Sequence, residues 1–468
     1  MKNEKKWILQ KCFAGILIMS MLFSVTACAT DTPSSVESSG VSASQSSSIQ
    51  ETDTDNTSEI TGSFEYWSCY SGDSATWEEW RVNLYNETYK DQGLVCELQF
   101  VPDGAGISNG KLLSAIASGS APDLIVCDDA ANAYSYAANN CFLPLNSYLE
   151  NSDIDIESFF PGCSDVIYYQ DQAYLIPQDS NVVMLYYNLD MVEEAGLDPE
   201  NPPKTIEELD EWAEKLTVKS SNGGYERLGF IPWQDHGGEA WIMPFFFGAD
   251  VYDANTNKLD LTSDAMQNYL NWVRSYADKY GIENIDAIAA NAGGRSTADH
   301  PFYTGKIAMT VTLNSFTHLM DVYGPEDIRY GVSAVPAAVP EREGTTTFTV
   351  NVFAVPDGSE NVDQALHFVN FCLSAEVCEE NYGTWRSIPC IDAEFENVSW
   401  TQKGDEIYAL ERELANSEHS GVPALCSVAS ELGDAFNTLR EGVIYTNADI
   451  PSSLESLQEQ YQAELDAK

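Results

Sequence analysis

The chain of 468 residues is strongly acidic, with 73 Asp and Glu residues against 23 Lys and Arg and a net charge of −50. Such a surface repels phosphate backbones and anionic lipids, which excludes nucleic acid as a partner for most of it. Because 44% of the residues are hydrophobic, the chain is long and apolar enough to bury a core divided between two lobes.

Residues 1–27 have the pattern of a secretory signal. Basic residues precede an apolar run from 13 to 27, and small residues then lead into Cys28. The run is shorter than the ~20 apolar residues of a membrane-spanning helix. The ending Val25-Thr26-Ala27-Cys28 resembles a bacterial lipobox, so we expect cleavage before Cys28 and lipidation of this cysteine. An uncleaved anchor with a chance cysteine is the alternative.

Residues 28–62 are rich in Ser and Thr and contain few large apolar side chains. Such a segment cannot bury enough apolar surface to fold, so we expect a flexible linker between membrane and folded part. An O-glycosylated stalk is the alternative. Together with the lipidation signal, the linker favours an extracellular, membrane-anchored protein, with a Gram-positive host as the expectation.

Strand and helix patterns alternate in the first part of the folded region. The expected elements are a strand at 64–67, a helix at 75–89, a strand at 94–101, a helix at 107–118 and a strand at 123–127. We place Trp77 and Trp80 on the core face of the first helix. Alternation of this kind is typical of a parallel, doubly wound sheet, in which ligands bind beyond the carboxyl ends of the strands.

The later elements are mixed. We expect a hairpin at 168–177 and a strand at 182–188. Thr205-Ile206-Glu207-Glu208 is a capping box that opens a helix ending near Leu216. The remaining predicted elements are helices at 262–280, 362–373 and 451–466 and strands at 307–311 and 347–355.

The sequence contains no strong metal or cofactor motif, and we predict neither. Asp253-x-Asn255-x-Asn257 is similar to the start of a calcium loop, but Lys258 occupies the glycine position, so a hairpin turn is the better interpretation. Beyond Cys12 and Cys28, nine cysteines remain, and an odd number cannot all pair within one chain. We expect most of them to be buried as small hydrophobic residues, with one or two bridges possible but not assignable.

Several segments, in their order along the chain, match a known family. The chain resembles the extracellular solute-binding lipoproteins of carbohydrate ABC importers, the group that includes maltose-binding protein. The segments that carry the resemblance are residues 111–126, 185–197, 202–209, 304–309, 330–336, 353–358 and 365–371. Thr349-Val350-Asn351 departs from the family's frequent paired glycines, which leaves the contribution of this segment to a site open.

The resemblance implies an α/β fold of two doubly wound lobes joined by a multi-segment hinge, the type II arrangement of periplasmic binding proteins. Residues 63–183 and 350–388 would form the N-terminal lobe, and 188–345 and 392–468 the C-terminal lobe. The implied function is capture of a carbohydrate in the cleft between the lobes and delivery to an ABC permease. A monomer without catalytic activity is expected.

A sugar site needs aromatic rings for stacking and carboxylates or amides for hydrogen bonds. By position in the family pattern, the candidate ligand-binding residues are Tyr70, Asp73, Asp128, Asp129, Gln178, Asp179, Asn181, Trp233, Glu239, Trp241, Asn314, Phe316, Trp385 and Arg386.

The class of ligand follows from the scarcity of basic residues among these candidates. Arg386 is the exception, so we predict a neutral mono- or oligosaccharide rather than a phosphorylated sugar or a uronate. Two alternatives stay open, a secreted glycosidase and a binding protein for a solute that is not a sugar. A glycosidase needs two positioned carboxylates, and a chain this acidic has adjacent pairs by chance.

Overall fold

The computed structural model describes residues 60–128, 130–221, 223–289, 293–391, 406–417, 420–421 and 424–467. The predicted signal, the lipidated Cys28, most of the linker and the candidate Asp129 lie outside the described residues. The described residues belong to one compact unit, Ser58–Lys468.

The strands were named in chain order. They are β1 (Gly62–Ser68), β2 (Leu94–Phe100), β3 (Leu124–Cys127), β4 (Tyr168–Tyr169), β5 (Gln172–Ala173), β6 (Leu175–Asn188), β7 (Val218–Lys219), β8 (Tyr225–Arg227), β9 (Tyr252–Asp253), β10 (Lys258–Leu259), β11 (Met309–Leu313), β12 (Tyr330–Ser333), β13 (Phe348–Ala354) and β14 (Ile388–Pro389).

The helices were named in the same way. They are α1 (Asp73–Thr88), α2 (Pro102–Gly106), α3 (Lys111–Ser118), α4 (Ala130–Ala138), α5 (Asn146–Leu149), α6 (Pro161–Ser164), α7 (Leu189–Glu194), α8 (Ile206–Leu216), α9 (Ile242–Phe246), α10 (Asp264–Tyr280), α11 (Ile282–Ala289), α12 (Phe316–Tyr323), α13 (Val362–Cys372), α14 (Ala375–Trp385), α15 (Glu406–Ala415), α16 (Ala429–Thr446) and α17 (Ile450–Ala467). Single 3₁₀ turns occupy Lys90–Gln92, Ile156–Ser158, Asp235–Gly238 and Pro340–Arg342.

A mixed sheet organises the described residues. Its order is β11-β6-β13-β3-β1-β2, and β12 and β14 also pair with β6. Strands β1, β2 and β3 are mutually parallel, so their carboxyl ends meet at one edge, as the alternating pattern predicted. Strand β13 returns antiparallel between β3 and β6.

The long strand β6 connects the two parts of the sheet. Its first half pairs with β13 and β14, and its second half pairs with β11 and β12. All fourteen of its residues are buried. The sequence predicted two separate strands here, because Pro177 and the polar run Gln178–Asn181 interrupt the apolar pattern. Pro177 fits since the register shifts opposite it, between Asn351 and Val352.

Most predicted elements occupy their expected positions, with two differences in the first part. The helix expected at 107–118 begins only at Lys111, as α3, and the short helix α2 precedes it, because Gly106 and Gly110 adopt positive φ. The prediction that Trp80 faces the core is wrong: Trp80 is 37% exposed, whereas Trp77 is 8% exposed. Three residues separate these side chains, which leaves Trp80 at the margin of the buried stripe.

Local sequence signals explain several element ends. The predicted capping box is present: Thr205 Oγ1 accepts from Glu208 N at 3.2 Å, and the Glu208 carboxylate accepts from Thr205 N at 3.3 Å. Asp253–Asn257 closes the β9–β10 hairpin, with Asp253 accepting bonds from Asn255 N and Thr256 Oγ1. Among the described helices, none is long and apolar enough to cross a membrane.

Candidate functional site

A cavity of about 1170 Å³ opens at the carboxyl ends of β1, β2 and β3. The loops after these strands and helix α4 form one side of it. Residues 239–242 and helix α16 form the opposite side, and the start of β13 forms the floor. The polar and aromatic lining residues are Ser71, Ser108, Asp128, Asn132, Ser135, Tyr136, Asn139, Glu239, Trp241, Thr347, Phe348, Thr349, Ser430, Glu431, Asp434 and Asn437.

Asp128 supplies a carboxylate from the sheet side of the cavity. It follows β3 directly, and the thiol of Cys69 at the end of β1 hydrogen-bonds to it. The surrounding protein removes water from this carboxyl and raises its pKa above the ordinary value. Burial and the charge of Asp128 together raise the pKa of the Cys69 thiol, so this cysteine is a hydrogen-bond donor here rather than a nucleophile.

Glu239 and Trp241 line the opposite side, on the segment before α9. The Trp241 ring stacks on Phe436 of α16 with centroids 4.7 Å apart. Glu239 Oε1 lies 3.4 Å from His236 Nε2. Burial and then the nearby Arg295 lower the pKa of His236 well below its ordinary value, so the imidazole is neutral and forms no ion pair with Glu239.

Helix α16 contributes polar residues that are not among the candidates, although the sequence left the contribution of a helix at 425–432 to the cleft open. Ser430, Asp434 and Asn437 lie on one face of the helix, and Glu431 lines the same cavity. Gly433 sits beside them and brings the helix backbone close to the Trp241 indole. The spacing of polar residues by four and three, around a glycine inside a helix, is the signal that could have identified this surface.

The segment 349–351, which departs from the family pattern, belongs to the site. Thr349 and Val350 line the cavity. The amide of Asn351, the next residue along the strand, donates to Asp179 Oδ1 at 2.7 Å. This strand therefore contributes to the cavity at its start and to a polar network at Asn351.

Three candidates, Tyr70, Gln178 and Asp179, meet in that network. The buried carboxylate of Asp179 accepts hydrogen bonds from the amides of Gln178, Asn351 and Asn381. Gln178 also donates to the hydroxyl of Tyr70 at 2.9 Å. Asn181 is buried nearby on the same strand. None of Tyr70, Gln178, Asp179 and Asn181 is among the described residues that line the cavity.

Asn314 joins three chain segments at the hinge side of the sheet. Its side-chain oxygen accepts from Val182 N at 3.1 Å, and its amide donates to the carbonyl of Arg386 at 2.5 Å. Arg386 has a left-handed backbone and donates to the hydroxyl of Tyr382 at 2.8 Å. Asn314 and Arg386 therefore have a structural role here, because these contacts connect segments that are distant in sequence.

The remaining candidates lie apart from the cavity lining. Phe316 is fully buried and stacks on Tyr303 with ring centroids 5.3 Å apart. Trp385 packs against the ring of His318. Asp73 is exposed at the start of α1, and Trp233 is half-buried. The structure thus brings Asp128, Glu239 and Trp241 together in one cavity, and the ligand-binding roles of all the candidates stay predictions.

The charge of the cavity is uniformly negative. Over the part of the chain that the structure describes, its lining contains Asp128, Glu239, Glu431 and Asp434 but no Lys, Arg or His. The described residues also contain no cluster of three or more His, Cys, Asp or Glu side chains suited to a metal ion. Hydroxyl, amide and carboxylate groups around an aromatic ring can bind a polyhydroxylated neutral ligand.

A family model described as bacterial extracellular solute-binding protein matches residues 72–377. The chain belongs to this family. The match confirms the family indicated by the sequence motifs and makes the protein an extracellular solute-binding protein.

The curated relatives that the chain matches include a protein named for the ligand that it binds. The chain is 27% identical over 267 residues to the sn-glycerol-3-phosphate-binding periplasmic protein UgpB of Escherichia coli K12, and the alignment covers 55% of this chain and 56% of the relative. UgpB of Shigella flexneri has the same identity and coverage. The chain thus spans about half the length of the curated relatives it matches.

Solved structures extend the likeness to almost all of the folded region. CpMnBP1 with mannotriose bound is 27% identical with a TM-score of 0.74, and the match covers 86% of this chain and 99% of that chain. The mannobiose complex of CpMnBP1 is 28% identical with a TM-score of 0.73, and the match covers the same shares of the two chains. Lmo0181 of Listeria monocytogenes, in complex with cycloalternan, is 16% identical with a TM-score of 0.70 over 87% and 99% of the chains, which shows the fold alone. The predicted fold, two doubly wound α/β lobes of the type II arrangement, is confirmed.

Proposed function

We propose that this protein captures a neutral oligosaccharide in the 1170 Å³ cavity and delivers it to the permease of an ABC importer. The observation that carries the proposal is the lining: an aromatic ring, hydroxyls, amides and four carboxylates, without a cation among the described lining residues. Carboxylates and amides accept and donate hydrogen bonds with sugar hydroxyls, while Trp241 offers a flat apolar face.

The size of the cavity supports an oligosaccharide over a monosaccharide. Its volume exceeds the roughly 300–1,000 Å³ of most small-molecule pockets. CpMnBP1, which is similar over nearly its whole length, is known in complex with mannotriose and mannobiose. We therefore propose linear oligosaccharides of neutral hexoses as the first ligands to test.

A glycerol phosphate ligand is the second candidate, because UgpB is named for sn-glycerol 3-phosphate. A phosphate needs Arg, Lys or backbone amides directed at it. The four lining carboxylates oppose such a ligand electrostatically. We therefore rank it below a neutral sugar.

The sheet supports the division into two lobes that the family resemblance implies. Residues 63–183 with 350–388 and residues 188–345 with 392–468 are the proposed N- and C-terminal lobes, and β6, with its two sets of partners, supports this division. Asp128 belongs to the first lobe, and Glu239, Glu431 and Asp434 belong to the second. A ligand that contacts both sets stabilises the closed arrangement, because closure is a population shift driven by contacts to both lobes.

Membrane attachment through a lipid on Cys28 is also proposed, with a monomer on the outer face of a Gram-positive cell membrane. The support is the sequence pattern of residues 1–28. Substituting Cys28→Ala should release the protein into the medium and abolish incorporation of labelled palmitate. Retention of the variant in the membrane fraction would point to an uncleaved anchor instead.

A thermal-shift screen tests the ligand class, since a ligand that binds only the folded state raises the unfolding midpoint. The panel contains neutral oligosaccharides, uronates, sn-glycerol 3-phosphate, amino acids and calcium. A shift with neutral oligosaccharides alone is the expected result, and a shift with an anionic compound alone overturns the proposal. The same oligosaccharide mixtures are then assayed for new reducing ends, because turnover would make the protein a glycosidase.

A further inference from the structure

Nine cysteines lie in the described part of the chain, and all of them are buried. Two of them, Cys163 and Cys390, are distant in sequence and adjacent in space. Cys163 belongs to α6, and Cys390 directly follows β14. Their exposed fractions are 0% and 1%.

The backbone around the two cysteines holds them together. Phe159 and Ile391 form an isolated antiparallel bridge, and Phe160 N donates to the carbonyl of Cys390 at 2.8 Å. The amide of Cys163 donates to the carbonyl of Phe160 at 2.9 Å. Cys163 therefore lies one turn along the chain from Phe160, the residue that contacts Cys390. The two thiols are in hydrogen-bond contact with each other.

We propose that Cys163 and Cys390 form a disulfide bond in the mature protein. Disulfides persist outside the cytoplasm, and this family is extracellular. The oxidant is an external disulfide, either a small molecule or a thiol–disulfide exchange protein. One cysteine thiolate attacks it and releases one thiol, and the second cysteine displaces the mixed disulfide and releases the other. Two protein thiols are oxidised, and one external disulfide is reduced to two thiols.

The bond would fasten the segment beyond β14 to α6. Strand β14 pairs with Asp179 and Ser180 in the middle of β6, at the place where the chain passes between the two parts of the sheet. Neither cysteine is among the described residues that line the cavity. The cross-link is therefore expected to raise stability without changing ligand affinity.

The bond is expected to form during folding. Burial, followed by the contact with Cys163, raises the pKa of the Cys390 thiol well above its ordinary value. In the folded protein the reactive thiolate is therefore scarce, and the external disulfide has no access to it. In the chain that has not yet folded, both obstacles are absent.

The test is refolding of the full chain under redox control. The reduced, denatured protein is refolded with or without a mixture of oxidised and reduced glutathione, alkylated, digested and analysed by mass spectrometry. We expect a cross-linked peptide pair containing Cys163 and Cys390 only in the oxidised sample. The oxidised protein should also unfold about 5 °C above the reduced protein, because the bond closes a very long loop.

Three variants make the result specific. Cys163→Ser and Cys390→Ser should each lose the cross-linked peptide and the difference in unfolding temperature between redox conditions. Cys141→Ser, a buried cysteine whose sulfur lies near the Asn139 carbonyl, should keep both. If a serine variant does not fold, the peptide map of the wild-type protein alone shows whether the bond between Cys163 and Cys390 forms. Alkylation of both Cys163 and Cys390 after oxidative refolding, or a bond from either to another cysteine, overturns the proposal.

Discussion

Asp179 illustrates how a residue predicted to bind ligand occupies a different environment in the structure. Its position in the chain matched a sugar-binding pattern, but its carboxylate is buried and accepts bonds from three amides. Composition and spacing indicated that residues 178–181 are polar. They did not indicate to which face of the strand each side chain points. In a strand, neighbouring side chains point to opposite faces, and the sequence did not reveal which face lined the cavity.

Replacing Asp179 by Ala should destabilise the fold. The change leaves the amides of Gln178, Asn351 and Asn381 without their acceptor, which should cost about 3 kcal/mol in the free energy of unfolding. Urea denaturation of the two proteins measures this difference. Asp73→Ala, at an exposed position at the start of α1, is the matched control and should change stability by less than about 0.5 kcal/mol. Equal free energies of unfolding for wild type and Asp179→Ala would contradict a stabilising role for the three hydrogen bonds to Asp179.

Trp241→Ala should weaken sugar binding. The indole lines the cavity and is held against Phe436, so its removal deletes a rigid stacking surface and should raise the Kd by about 10- to 100-fold. Isothermal titration calorimetry with the sugar identified by the screen measures the change. Trp80→Ala, an exposed tryptophan outside the cavity lining, serves as control and should leave the Kd unchanged. An unaffected Kd in Trp241→Ala would remove Trp241 from the site.

Asp128 should make stability depend on pH. Its pKa is raised from 3.8 chiefly by burial, so above pH 3.8 the folded protein keeps a proton that the unfolded chain has lost. Its contribution to stability is therefore full at low pH and decreases as pH rises through the folded pKa. Thermal unfolding of wild type and Asp128→Asn between about pH 4 and pH 7 should show the variant gaining relative stability with pH. A constant difference would contradict the raised pKa of this carboxyl.

At the scale of elements, strong local signals were predictable and long-range placement was not. The capping box at Thr205 and the hairpin at Asp253 are encoded by a few adjacent residues, so the sequence identified both. The polar face of α16 was missed as part of the site, because its role depends on a strand end some three hundred residues earlier that no local pattern connects to it.

Gly433 of α16 provides a test of this surface. A methyl group there would meet only ordinary contacts with Ala240 and Trp241, so Gly433→Ala should stabilise the helix by roughly 0.5–1 kcal/mol. A larger side chain would fill the cavity, and Gly433→Leu should weaken sugar binding at least about tenfold. Calorimetry and thermal unfolding measure the two effects.

The matched control lies in the same helix. Gly442 is outside the cavity lining, so Gly442→Leu should leave the Kd of the sugar unchanged. Equal loss of affinity in both leucine variants would show that the helix acts only through stability. Full affinity in Gly433→Leu would remove α16 from the site.

At the scale of the whole molecule, the family and the fold were predictable because many modest motifs occur in one order. The candidate cavity also lies at the carboxyl ends of β1, β2 and β3, where the sequence predicted a site, since parallel strands end at one edge. The continuity of β6 was not predictable, because the Asp179 carboxylate at its centre is satisfied by partners from β13 and α14. Those partners become visible only in three dimensions.

The central claim is that the cavity selects neutral sugars by its shape, by the ring of Trp241 and by four carboxylates without a cation among the described lining residues. Isothermal titration calorimetry of the purified protein with mannotriose and with sn-glycerol 3-phosphate, in the same buffer, tests it most directly. We expect saturable binding of one mannotriose per protein and no binding of the phosphate ester. Saturable binding of sn-glycerol 3-phosphate without binding of mannotriose or another neutral oligosaccharide would contradict the account.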